Sequence, residues 1–113
     1  MTMKTETVRL LTVVAEAVLE DRLVTLVKKS GATGYTLTRV HGEGSRGVRA
    51  SEWEGRNVKI ETLVSDAVAE RILETLTQKY FPHYAVVAYL QTVEVVRGGK
   101  YTSERSGSQE APS

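Results

Sequence analysis

The run Asn57-Val58-Lys59-Ile60-Glu61-Thr62-Leu63-Val64-Ser65-Asp66 decides the fold, because one period gives way to another inside it. Val58, Ile60 and Thr62 alternate with Lys59, Glu61 and Leu63, which is the two-residue period of a strand with two different faces. Ser65 then stands where a helix N-cap is wanted, with Asp66 in the first turn to meet the helix dipole. Downstream, Val68, Ile72, Leu76 and Tyr80 recur every four residues, and Phe81-Pro82 ends the helix. A strand running directly into a helix is half of a β-α-β unit.

The upstream half repeats the pattern. Thr7 to Val14 reads as a strand, with Arg9 its only charge. From Glu16 to Ser30 the spacing becomes helical: Leu19, Leu23, Leu26 and Val27 form one apolar stripe. Lys28 and Lys29 fall in the last turn and Gly31 follows as a stop. Tyr35 to Val40 is a second strand. A final strand spans Tyr84 to Val96. Its Tyr-Ala-Val-Val-Ala-Tyr-Leu portion is apolar on both faces, unlike an antiparallel strand with one face in water. The order β-α-β-loop-β-α-β predicts an α+β ferredoxin-like βαββαβ sandwich, with a four-stranded antiparallel sheet and two helices on one face. The apolar second face predicts that other copies of the chain cover it.

Composition narrows the function. The 113 residues carry a net charge of +1, so the basic surplus of a general nucleic-acid binder is lacking. No apolar run reaches the ~20 residues that span a bilayer, and the N-terminal residues show no secretory h-region. With no cysteine, disulfides and thiolate metal sites are excluded. His41 and His83 are too few and too far apart for a metal centre. The expectation is a cytoplasmic protein with no metal and no cofactor. No Ser-His-Asp set or close carboxylate pair stands out for hydrolysis. Lys59 and Glu61 read as cross-strand or intersubunit pairs.

The chemistry concentrates in residues 41–56, a loop long for so small a domain. Gly42, Gly44 and Gly47 allow backbone amides to converge on an anion, while Arg46 and Arg49 supply charge-assisted bonds to phosphate. Ser45 adds a hydroxyl and an amide. Trp53, between Glu52 and Glu54, is the residue type a partner-docking loop would carry.

The segments Gly34-Tyr35-Thr36 and Gly42-Glu43-Gly44-Ser45-Arg46-Gly47-Val48-Arg49 resemble the PII signalling superfamily, and within it the PII-like SbtB proteins of inorganic-carbon regulation. Lys79-Tyr80-Phe81, Tyr84-Ala85 and Glu94-Val95 support the resemblance, which covers roughly residues 5 to 100. It implies a homotrimer with adenine-nucleotide sites (cyclic AMP, AMP, ADP or ATP) between subunits, and control of a sodium-dependent bicarbonate transporter at the inner membrane through the long loop. It further implies nucleotide contacts from Thr36, Gly42, Gly44, Ser45, Arg46, Arg49, Tyr89 and Leu90, with Thr36 near the adenine. Two departures matter. Residues 41–56 hold no tyrosine for covalent modification. Where PII proteins place a glycine- and lysine-rich phosphate grip, this chain has Tyr80-Phe81-Pro82-His83. A monophosphate or cyclic monophosphate therefore fits better than a triphosphate. The expected organisation is one domain over 1–100 and a flexible tail over 101–113. Slow ATP or ADP hydrolysis at the same site is the enzymatic alternative; an RNA-binding ferredoxin-like module is a third, without matching motifs.

Overall fold

A computed structural model describes residues 3–42 and 56–96. Most of the long loop and the whole tail lie outside that range. So do the expectations made for them. The described chain forms strand β1 (Glu6–Glu16), a 3-10 turn (Ala17–Leu19), helix α1 (Glu20–Lys29), strand β2 (Thr36–Val40), strand β3 (Asn57–Val64), helix α2 (Asp66–Thr75) continued by a π turn (Leu76–Tyr80), and strand β4 (Val86–Val95). The sheet order is β2-β3-β1-β4, antiparallel at each junction. This is the expected ferredoxin-like topology.

Burial follows the alternation read from the sequence. Val58, Ile60, Thr62 and Val64 are buried, while the residues between them are half-exposed. They meet Leu11, Val13 and Ala15 of β1 in register and pack under Leu19, Leu23 and Val27 of α1 and Val68, Ile72 and Leu76 of α2. Ser65 caps α2, its Oγ accepting from the Val68 amide at 3.3 Å. Gly31 takes φ +113° just after α1, and Arg71 of α2 donates Nε and Nη2 to the Ser30 carbonyl at 3.0 and 2.9 Å. The two helices are thereby tied where α1 exposes unpaired carbonyls.

Three boundaries differ from the sequence reading. The strand β1 runs on to Glu16, and a 3-10 turn precedes α1, so the helix itself starts at Glu20. Residues 76–80 widen into a π turn, closed by the Phe81 amide donating to Leu76 O at 2.8 Å. Thr77 Oγ1 donates to Leu73 O at 2.8 Å, a side-chain bond on the helix's own carbonyl. Last, β4 begins at Val86 because residues 81–84 turn back on themselves, with the His83 and Tyr84 amides both donating to Tyr80 O.

Among the described residues, no helix covers the sheet's other face. In register across it stand Leu10, Thr12 and Val14 of β1, Lys59, Glu61 and Leu63 of β3, Thr36 and Thr38 of β2, and Val87, Tyr89 and Gln91 of β4. Val87 is 54 % exposed and Tyr89 47 %, on a strand that also forms the sheet's edge.

Candidate functional site

Unequal strand lengths create a cleft. β3 has eight residues and β2 five. β2 begins at Thr36 opposite Glu61, so β3 continues past it without a partner on that side. There the 34–35 connection veers off, and Thr62 Oγ1 donates to Gly34 O at 2.6 Å in place of a ladder bond. The space left is about 440 Å³, lined by Leu10, Gly34, Tyr35, Thr36, Glu61, Thr62 and Leu63.

Its chemistry is mixed in a useful way. Leu10 and Leu63 offer apolar surface. The Glu61 carboxylate accepts only, so it suits an exocyclic amine or a sugar hydroxyl, and the Thr36 hydroxyl can do either. Because β2 is an edge strand, part of its backbone also faces outward without a ladder partner.

Of the residues expected to bind nucleotide, Thr36 lies in this cleft. Gly42 ends the described part of the loop's first root, its carbonyl accepting from Asn57 Nδ2 at 3.4 Å. It is six residues beyond Thr36, about 20 Å along an extended chain. Tyr89 and Leu90 are on β4, at the opposite edge of the sheet, three strand spacings or about 14 Å from β2. Tyr89 is on the open face, on the same register row as Thr36, Glu61 and Thr12. Leu90 faces the helices and packs partly against the core, away from the open face. Gly44, Ser45, Arg46 and Arg49, and the docking candidates Glu52, Trp53 and Glu54, lie outside the described residues. Among the described residues, Thr36 and Gly42 lie toward opposite ends of β2, and Tyr89 and Leu90 lie on the opposite edge strand.

Glu61 escaped the sequence reading as a site residue. It faces Thr12 and Thr36 across the ladder rather than a basic residue, and Lys59 faces Val14 and Thr38. Neither thus faces an opposite charge across the ladder, while Arg9 pairs with Asp66 at 3.2 Å and Arg39 with Glu20 at 3.1 Å. At the far end of the sheet, Tyr84 gathers Arg22, whose Nη1 donates to its hydroxyl at 3.4 Å and whose guanidinium lies 5.8 Å from its ring centre. That hydrogen bond, with the electrostatic attraction of Tyr84, raises the Arg22 pKa above its ordinary value.

Comparison with known proteins places this geometry. The family model for nitrogen regulatory protein P-II matches residues 8–100. A PII-like signalling protein from Thermus thermophilus is 56% identical, with 88% of this chain and 100% of that one aligned at a TM-score of 0.75. CPII, a nitrogen regulatory PII-like protein from Thiomonas intermedia solved with ADP, AMP and bicarbonate, aligns over 83% of this chain and 98% of its own, at 22% identity and TM-score 0.72. The GlnK–ATP complex of B. subtilis aligns over 75% and 82%, at 21% identity and TM-score 0.52.

Proposed function

This chain belongs to the nitrogen regulatory protein P-II family, and on that premise we propose that it is an adenine-nucleotide sensor whose ligand lies between copies of the chain. The observation that carries the reading is the split of the site. The cleft at the start of β2 offers Thr36 and Glu61 to a base or ribose. The glycine- and arginine-bearing segment leaves from the other end of the same strand, and Tyr89 stands at the opposite sheet edge. In this reading a mononucleotide touches both groups, one of them contributed by a second protomer. The β4 part of the open face, with Val87 and Tyr89 exposed, gives that protomer a surface to cover. A homotrimer closes such contacts in a ring.

In this reading Glu61 and Thr36 of one protomer bind the adenosine portion, with Leu10 and Leu63 against the base. Gly42, Gly44, Ser45, Arg46 and Arg49 of its neighbour hold the phosphate, and Tyr89 and the Leu90 backbone close the wall. AMP and cyclic AMP are the preferred ligands, since Tyr80-Phe81-Pro82-His83 offers no lysine to further phosphates. CPII, a structural neighbour, is solved with ADP, AMP and bicarbonate, in keeping with an adenine nucleotide here. The bound nucleotide selects the conformation of the long loop, and that loop, through Trp53 with Glu52 and Glu54, docks on a sodium-dependent bicarbonate transporter at the membrane's cytoplasmic side. For the loop to switch, the nucleotide must bind its two states with different affinity. The role is regulatory, with slow nucleotide hydrolysis at the same site as the alternative.

Calorimetry against AMP, cyclic AMP, ADP, ATP and adenosine tests the proposal. One AMP per chain, bound far more tightly than adenosine, is the expected result. No heat from any of the five overturns it. Phosphate release from ATP at a rate matching a known hydrolase would replace the sensor by an enzyme.

A further inference from the structure

Glu16 is a carboxylate at the end of β1, only 2 % exposed, and the nucleotide reading has no use for it. Its position is unusual in what it joins. Its backbone pairs with Asn57, the first residue of β3 and one root of the long loop. The next amide, Ala17 N, donates to Arg56 O at 3.0 Å. Asn57 in turn reaches Gly42 O, the loop's other root. On its remaining side the Glu16 carboxylate, through Oε2, accepts from the Ala85 amide at 2.7 Å.

The β1–β4 ladder shows why that last bond matters. Its final rung pairs Ala15 with Val86. One residue further, Ala85 would pair with the Glu16 backbone if the ladder continued. It bonds the side chain instead, and the chain diverges there into the Tyr80–Tyr84 turn. A ladder rung is fixed by the backbone of two strands, whereas a side-chain acceptor can be released by one rotamer change. A charged acceptor makes the bond short and about twice as strong as a neutral one while it holds. Burying a carboxylate is costly unless it is bonded, so a residue used merely to fill this corner would not carry charge.

We propose that Glu16 is a positioning residue that holds the turn ahead of β4 and the roots of the long loop as one unit, so that a nucleotide ordering either segment orders both. This rests on the nucleotide reading for its second half alone; the mechanical tie stands without ligand. The groups facing the carboxylate's end of the sheet include Asn57 and Arg56 from β3's start and Ala85 and Tyr84 from the turn.

The test is amide hydrogen exchange on the full chain, wild type against Glu16→Ala, Glu16→Asp and Glu16→Gln. Glu16→Gln keeps an accepting oxygen at the same reach; Glu16→Asp keeps the charge but is one methylene too short. Leu11 and Ile60 amides report whether the core is intact. Without nucleotide, Glu16→Ala and Glu16→Asp are expected to speed exchange about tenfold or more at Ala85 and also at Val40 and Asn57, with Leu11 and Ile60 unchanged and Glu16→Gln close to wild type. Faster exchange at Ala85 alone overturns the tie, reducing Glu16 to a local cap. Equal acceleration everywhere, in all three variants, also overturns it. With AMP added to wild type, the 80–85 and loop-root amides should slow together, and in Glu16→Asp one group should slow without the other. Joint slowing in every variant contradicts the tie. If AMP slows nothing in wild type, the nucleotide reading fails, and the ligand-free comparison still decides the role of Glu16.

Discussion

Glu61 and Glu16 illustrate what single residues conceal in a sequence. The sequence reads Glu61 as a cross-strand or intersubunit partner and Glu16 as the start of helical spacing, yet one lines the cleft and the other is nearly sealed from solvent. Neither fact has a local signal: the first depends on β2 being shorter than β3, the second on where β4 leaves the ladder. Thr36, singled out through Gly34-Tyr35-Thr36, lies in that cleft. Glu61→Ala should weaken AMP binding by roughly ten- to hundredfold, the range of one charge-assisted bond at about 1.5–3 kcal/mol, read by calorimetry. Arg46→Ala and Arg49→Ala should do the same for AMP and leave adenosine indifferent, which separates the phosphate end from the base end. Gly31 makes a prediction about stability alone. At φ +113° a side chain is strained, and a Cβ there would lie 3.1 Å from Arg71 Nη2 and 3.3 Å from Val68 Cγ2. Gly31→Ala should therefore cost about 1–3 kcal/mol in denaturant unfolding with AMP affinity intact.

Among the elements, β3 and α2 were read almost to the residue, since alternation, a serine cap and a four-residue repeat agree with one another there. The β1–α1 junction and the π turn were not, because hydrophobic spacing tolerates a tightened or widened turn as long as Leu19 and Leu76 stay buried; both are fully so. The cap is testable in isolation: Ser65→Ala should lower stability by about 1 kcal/mol and leave ligand binding unchanged. β4 is the element whose sequence said most about assembly. Its helix-facing residues Val86, Ala88 and Leu90 pack on the core, while Val87 and Tyr89 project from the bare face. A charge at either outward position, Val87→Glu or Tyr89→Glu, should dissociate the oligomer with the secondary structure retained, as sedimentation and circular dichroism would record together.

At the scale of the molecule, the sequence pointed to the family, and residues 8–100 match its model. Which residues meet around a ligand was beyond its reach, because the proposed site joins two copies of the chain. Among the described residues, Thr36 and Gly42 lie toward opposite ends of β2 and Tyr89 stands on the opposite edge of the sheet. Sedimentation of the free protein should therefore give a trimer at micromolar concentration, and a monomer there would leave the site half-built. The most direct test of the account is a crystal structure grown with AMP. The account predicts adenosine against Thr36 and Glu61 of one protomer, with the phosphate held by Arg46 and Arg49 of the next. AMP bound wholly within one chain, or on the helical face, would contradict it.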